Sequence, residues 1–335
     1  VFCGGETKNE KHIFCGSRIM SGEFPYISWL RAQTSLSSRV LVGPGDDCAV
    51  LKCGATPSLV TTDMLMDGTD FIVAEVGPRR AGRKAMAANL SDIAAMAGVA
   101  TAALVSIALP RQSPRESPGR AGPREETSHF AEELYWGCRE AADPFNVAII
   151  GGDTNTWAGP LVISITALGE TTGRGAVLRS GACVGDWIFV TGPLGGSILG
   201  HHLDFTPRLE EALAIHAMVA IHAMCDISDG LAADLHHILE ESRCGAVLDS
   251  AAIPISPAAK ELSRTSNKTP LEHALGDGED FELVFTVSPT AGHRLLQEPP
   301  CAGLVKIGEC VEAGFWLQSG NHRTPLHPTG WKHAF

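Results

Sequence analysis

Short apolar runs of strand type alternate along the chain with stretches of helical period. Before residue 170 the runs are AVL (49–51), SLVTTD (58–63), ALVSIAL (103–109), VAIIGGD (147–153) and LVISITALGE (161–170). Between them the spacing predicts a helix from Arg80 to Ala97, in which Met86, Leu90, Ile93 and Ala97 recur with helical period and form a buried stripe. Asn89 and Asp92, three apart, share another face of that helix, and a polar face on an alanine-rich helix calls for a partner. After Gly169 the pattern restarts: GDWIFVTG (185–192), a helix-forming stretch at 209–223, DISDGLAADLHHILEES (226–242), FELVFTV (281–287) and LVKIGEC (304–310).

This repetition predicts two α/β or α+β domains, 21–172 and 173–335, joined through TTGRGA (171–176). Residues 1–20 lack periodicity and read as a loose extension. The segment 110–126 is dense in proline, glycine and arginine and reads as an exposed loop, with helix resuming through HFAEELYWGCREAA (129–142). The uncharged run Ile93–Leu109 is divided by Gly98 and reads as a buried helix followed by a strand rather than a membrane span. At 335 residues, two domains are also what core size favours.

A formal charge of −12 excludes the basic footprint of a nonspecific nucleic-acid binder. The ten cysteines form no C-x-x-C pair and the thirteen histidines no H-E-x-x-H, so reduced thiols in a cytosolic protein are expected and a zinc enzyme is not. No phosphate loop, protein-kinase motif set or G-x-S-x-G elbow occurs, and no covalent nucleophile stands out. TGPLGGSILG (191–200) is a weak candidate for holding phosphate at a helix start.

The informative chemistry lies in where the aspartates stand. Asp46 and Asp47 precede a strand, Asp63 ends one, Asp153 follows VAIIGG, Asp226 and Asp229 flank Ser228 before a helix, and Asp92 lies on the alanine-rich helix. Taken singly, GDD reads as a turn, S-D-G as a helix cap and GGD as a turn signal. Taken together, carboxylates at strand ends would repel one another unless hard divalent cations joined them, which points to a nucleotide and magnesium site.

In order, GDDCAVL, TTDMLMDGTDF, GRKAMAANLSDIAAMAG, IIGGDT, LRSGACVGDWIFVTGPLG, DISDGLAADL and GEDFELVFTV resemble the thiamine-monophosphate kinases of the aminoimidazole-ribonucleotide-synthetase-like superfamily. The resemblance implies a two-domain α/β (α+β) fold whose N-terminal strands pair across a homodimer. It implies a cytoplasmic enzyme that transfers the ATP γ-phosphoryl group to thiamine monophosphate, with several Mg2+ ions and no protein nucleophile. By the same resemblance the metal ligands are Asp47, Thr61, Thr62, Asp63, Asp92, Asp153, Asp226 and Asp229. Gly152, Asp153, Arg179 and Ser228 would contact ATP, and Asp70, Glu279 and Trp331 the substrate. Asp70 is a departure, standing where the family carries histidine, and a carboxylate there would repel a substrate phosphate. Two other readings stand beside this one: a relative that activates a different small substrate, as selenophosphate or aminoimidazole ribonucleotide synthetases do, and a nonenzymatic nucleotide-binding module.

Overall fold

The computed structural model describes residues 31–32, 37–111 and 123–331. The expected extension at 1–20 and most of the expected loop at 110–126 lie outside them.

Six strands form the first sheet: β1 (Val40–Val42), β2 (Ala49–Leu51), β3 (Ser58–Met66), β4 (Val99–Pro110), β5 (Ala148–Trp157) and β6 (Val162–Glu170), in the order β1-β2-β3-β6-β4-β5. Neighbours are antiparallel except the parallel pair β4–β5 at one edge. Helix α1 (Val73–Ala95) packs on β3 and β6, and α2 (Pro123–Ala142) packs along α1. The two helices approach closely because glycines face each contact. A Cβ on Gly82 would lie 2.2 Å from the Leu134 carbonyl oxygen, and one on Gly137 would lie 1.8 Å from that of Arg79.

The expected stripe of Met86, Leu90, Ile93 and Ala97 is fully buried, each residue at 0% exposure. The helix bounds differ from expectation. α1 starts at Val73 and breaks at Gly77, φ 78°, before Pro78 opens the straight segment. It stops at Ala95, where Gly98 N–H bonds the Ile93 carbonyl at 3.0 Å and leaves Ala97 outside. Helix α2 begins at Pro123, inside the stretch expected to be loop, because proline suits the first position of a helix.

The second sheet has seven strands: β7 (Trp187–Val190), β8 (Ala223–Asp226), β9 (Gly245–Asp249), β10 (Leu283–Val287), β11 (Val305–Val311), β12 (Phe315–Ser319) and β13 (His322–Pro325). Their order is β13-β12-β9-β11-β7-β10-β8, antiparallel throughout except β9–β12. Around it lie α3 (His201–Asp204), α4 (Leu209–Met218), α5 (Leu231–Ser242), α6 (Pro257–Leu262), α7 (Pro270–Gly276) and α8 (Pro289–Gln297). The helix expected over 209–223 ends at Met218, since the following segment is drawn into the sheet: His222 N–H bonds the Thr286 carbonyl at 2.9 Å.

Helix α1 lies between the sheets, touching β3 and β6 on one side and β8 on the other. One continuous core therefore runs from Leu59, Ile163 and Ile165 of the first sheet to Phe189, Met224 and Phe285 of the second. A second core, with Ile188, Val190, Leu231 and Ile238, fills the opposite side of the second sheet. Both sheets are mixed, each antiparallel but for one parallel pair. No helix among the described residues is long and apolar enough to cross a membrane.

Candidate active site: a carboxylate-lined cavity between the sheets

A cavity of about 1630 Å³ opens between β3 and α1 on one side and the turns after β7 and β8 on the other. Single small-molecule sites span ~300–1,000 Å³, so this one has room for two ligands.

Among the aspartates that line it, four come from four different elements. Asp47 comes from the turn into β2, Asp63 from β3, Asp92 from α1 and Asp226 from the end of β8. Carboxylate oxygens of Asp47, Asp92 and Asp226 lie within 4.8 Å of one another. Each group is held in place by a neighbour. Arg179 grips Asp47, Nη2 to Oδ1 at 2.6 Å, while Thr61 Oγ1 donates to Asp92 Oδ2 at 2.5 Å and Ser91 Oγ to Asp226 Oδ2 at 2.7 Å. Asn89 accepts from the Asp63 backbone N–H at 3.1 Å and donates to the Ala85 carbonyl at 3.0 Å. The polar face of α1 therefore has its partner in β3. Asp46 points elsewhere, accepting the Arg179 backbone N–H at 3.0 Å, so the adjacent aspartates clamp one arginine from two sides.

Converging carboxylates with one strong cationic partner hold protons tightly. Burial, then repulsion from Asp47 and Asp70, raises Asp63 to about 6. Burial and Asp47 raise Asp226 to about 7. Asp92 is pushed well above the ordinary aspartate range by burial and by Asp63 and Asp226. An oxygen-only donor set with uncompensated negative charge fits a hard divalent cation such as magnesium, and Asp47, Asp92 and Asp226, with Asp63 and Thr61 beside them, are the residues that would hold it.

At the other end of the cavity Lys84 is 1% exposed, yet carries an ammonium group. It donates to the Asp70 carbonyl at 2.6 Å and pairs with the Glu279 carboxylate. Asp70 itself turns its carboxylate back on its own loop, accepting the Met66 N–H at 2.6 Å. His202 is fixed by Nδ1 on the Ser197 carbonyl at 2.8 Å, and burial first of all lowers its pKa, favouring the neutral ring. Trp331 stands exposed at the rim, its backbone N–H donating to the Asp229 carbonyl at 3.0 Å.

Of the residues expected at the site, Asp47, Thr61, Thr62, Asp63, Asp70, Asp92, Arg179, Asp226, Ser228, Asp229, Glu279 and Trp331 border this cavity. The Thr62 hydroxyl, one residue out of phase with Thr61 on the strand, is bonded across to the Ile165 carbonyl at 3.0 Å and Thr166 Oγ1 at 3.1 Å. Gly152 and Asp153 are not brought to the cavity within this chain; they lie on edge strand β5, across the first sheet. Neither Ser228 nor Asp229 caps α5, whose N-cap is Gly230; instead Asp234 accepts the N–H groups of Asp229 and Gly230 at 3.0 and 2.9 Å. The glycine-rich stretch 191–200 spends two of its N–H groups on protein carboxylates, Gly195 on Asp280 at 2.8 Å and Gly196 on Asp277 at 3.0 Å. Lys84 and Ser91 were not expected. Lys84, Ala88 and Asp92 follow one another at four-residue steps, the helical spacing that puts all three on the cavity side.

Family models described as the N-terminal and C-terminal domains of AIR synthase related protein match residues 45–171 and 184–315. A thiamine-monophosphate kinase of Rhodopirellula baltica is 40% identical over 322 residues, covering 93% of this chain and 97% of the relative. A solved structure described as AaThiL complexed with AMPPCP and TMP superposes with a TM-score of 0.77 at 29% identity, covering 93% of this chain and 97% of that one. The thiamine-monophosphate kinase of Stenotrophomonas maltophilia K279a gives a TM-score of 0.66 at 33% identity, over 90% and 98% of the two chains. The chain thus belongs to the AIR synthase related family, on its thiamine-monophosphate kinase branch.

Proposed function

We propose that this chain is a cytoplasmic, magnesium-dependent kinase that transfers the γ-phosphoryl group of ATP to thiamine monophosphate, forming thiamine diphosphate and ADP. The observation that carries the reading is the convergence of Asp47, Asp92 and Asp226 within 4.8 Å in a cavity roomy enough for two ligands. The 40% identical kinase matched along 93% of the chain supports the choice of substrate.

The acceptor phosphate is already ionised at neutral pH, so no side chain has to remove a proton. What the protein must supply is alignment of two anions and relief of their repulsion. Magnesium held by Asp47, Asp63, Asp92 and Asp226 would supply charge neutralisation on the phosphates and stabilisation of the transferring group. Thr61 and Ser91 hold the carboxylates of Asp92 and Asp226 in place for that purpose. Arg179 and Ser228 take the nucleotide phosphates and Asp229 contributes at the edge, whereas the hydroxyl of Thr62, expected as a metal ligand, is engaged across the sheet by Ile165 and Thr166. Glu279 faces the cationic thiamine, and Trp331 offers an aromatic face to its ring. Lys84 sets the position of Glu279.

The roles expected of Gly152 and Asp153 rest on a homodimer in which a second copy covers the open face of the first sheet. Support comes from that face itself: Met64 is 61% and Ile150 60% exposed. A division of the chain near 172/173 agrees with the last strand of the first sheet ending at Glu170 and the second sheet starting at Trp187.

The test is purified protein with ATP, magnesium and thiamine monophosphate, the products being separated by chromatography. Thiamine diphosphate and ADP in equal amounts are expected. ATP binding without any thiamine diphosphate would overturn the assignment of substrate.

A further inference from the structure

We propose that Cys183, Asp186 and His222 form a second metal site, for a thiophilic divalent cation of the zinc class, at the end of the second sheet away from the carboxylate cavity. The donor atoms of the three side chains all lie within 4.8 Å of one another. His222 precedes β8 and Asp226 ends it, so the two sites are separated by about 13 Å of strand at ~3.3 Å per residue. The inference does not depend on the kinase reading.

The site is built by three segments. Cys183 and Asp186 come from the turn entering β7, which closes on itself: Asp186 N–H bonds the Cys183 carbonyl at 3.0 Å, and Cys183 N–H bonds Asp186 Oδ2 at 2.7 Å. Strand β11 locks that turn from outside, with Gly185 N–H on the Cys310 carbonyl at 2.9 Å and Cys310 N–H on the Asp186 carbonyl at 2.8 Å. His222 arrives from the other side of β10, its Nδ1 2.8 Å from Asp186 Oδ2. Asp186 is buried, whereas Cys183 is exposed, so an ion can reach an already oriented set of ligands.

Strand β11 adds a further sulfur residue next to the trio, since Cys310 is the residue whose N–H meets the Asp186 carbonyl. Soft donors and a carboxylate thus gather where His222 is the only ion-pair partner of Asp186 among the described residues. Sulfur, imidazole nitrogen and carboxylate oxygen together select zinc over magnesium, which takes oxygen ligands. A tetrahedral ion places its donors about 3.3–3.8 Å apart. Binding an ion would open the present 2.8 Å contact between His222 Nδ1 and Asp186 Oδ2 to that spacing, with the fourth position left to water. The bound ion would tie the turn into β7 to the start of β8, the strand that carries Asp226.

The test uses the full chain with thiols reduced, stripped of metal by chelation and titrated with Co2+ under excess Mg2+, which occupies the oxygen-only site. Near-ultraviolet thiolate-to-cobalt charge-transfer absorption should saturate near one equivalent and be reversed by Zn2+. Cys183→Ser should abolish the band, His222→Gln and Asp186→Asn should weaken Co2+ binding by about tenfold or more, and Cys53→Ser, a change at an exposed thiol elsewhere, should leave it intact. Thermal unfolding of each variant with Mg2+ and ATP reports that it is folded. Absence of the band in the wild-type chain, its persistence in Cys183→Ser or its loss in Cys53→Ser overturns the proposal.

Discussion

Arg179 and Asp47 are joined by two hydrogen bonds, Nη2 to Oδ1 at 2.6 Å and Nε to Oδ2 at 3.3 Å. The arginine expected to meet ATP thus neutralises an aspartate expected to meet metal, and it does so beside three further carboxylates. Removing it leaves Asp47, whose side chain is 0% exposed, without a countercharge. Breaking a buried pair costs about 3–5 kcal/mol, and the lower end applies because the guanidinium side chain keeps 23% of its surface in water. Arg179→Met should therefore lower the melting temperature in chelator, and Mg2+ should recover most of that loss. Equal losses with and without Mg2+ would show that the ion pair is not compensating for the metal.

Lys84 makes a different demand on the structure, since a buried ammonium is tolerated only with partners. Its partners are the Asp70 carbonyl and the Glu279 carboxylate, both at the substrate end of the cavity. Lys84→Met preserves length while releasing Glu279. The KM for thiamine monophosphate should rise by about tenfold or more, with the KM for ATP changed by less than about twofold. Combined with Glu279→Gln, the loss should fall short of the sum of the two single losses by at least ~1 kcal/mol. Additive losses would separate the two residues functionally.

The raised carboxylates predict how the metal-free protein responds to pH. Asp63 at about 6 and Asp226 at about 7 stand above the ordinary aspartate value of 3.8, and Asp92 is raised as well. Between pH 4 and pH 7 the folded state accordingly binds more protons than the unfolded chain, so its stability falls as pH rises through that window. In chelator the melting temperature should drop from pH 5 to pH 7.5, and the increment gained from Mg2+ should be large at pH 7.5 and small at pH 5. An increment independent of pH would mean that these carboxylates do not bind the ion.

Asp92 gives the sharpest trade between stability and activity. It is surrounded by Asp63, Asp226 and Asp47, and among the described residues its favourable side-chain contact is the Thr61 hydroxyl, which an amide oxygen also accepts. Asp92→Asn should stabilise the metal-free protein by about 0.5–2 kcal/mol while removing nearly all phosphoryl transfer. Denaturant unfolding and the chromatographic assay measure the two effects. Destabilisation would contradict the repulsion argument.

Much of this arrangement is legible in the residue order. The period of Met86, Leu90, Ile93 and Ala97 identifies the buried side of α1, and aspartates at strand ends and turns identify a shared site because sheet topology collects such positions. Other features depend on tertiary context. Lys84 looks like one surface lysine in an alanine-rich helix until its spacing of two four-residue steps, through Ala88, to Asp92 is noticed. Ser91 has no distinguishing pattern, because its value lies in Asp226, 135 positions later. The glycine-rich stretch after β7 looked suited to phosphate, yet only the fold brings Asp277 and Asp280 to its N–H groups.

Asp70 illustrates the same limit from the side of substrate recognition. Its carboxylate caps the turn after β3 through the Met66 N–H. Asp70→Asn keeps an acceptor for that bond and removes the charge, so the KM for thiamine monophosphate should stay within about twofold. A marked fall in KM would show that the charge does oppose the substrate.

The open face of the first sheet supplies the last prediction. Strand register places Met64, Ser164, Ser106 and Asp153 in one row across β3, β6, β4 and β5, so the outward Met64 and the expected nucleotide ligand Asp153 share a surface. Met64 at 61% and Ile150 at 60% exposure make part of that surface apolar, and the ten-residue β5 is an edge strand among the described residues. Covering by a second copy buries both. Light scattering should then give twice 35.4 kDa for the wild-type chain. Met64→Asp puts a charge into the row and should shift the mass toward the monomer. Because Met64 lies outside the core, the isolated subunit should stay folded. Activity should fall in step with dissociation if Asp153 reaches the nucleotide of the partner. A monomeric wild-type chain with full activity would remove the second copy from the mechanism.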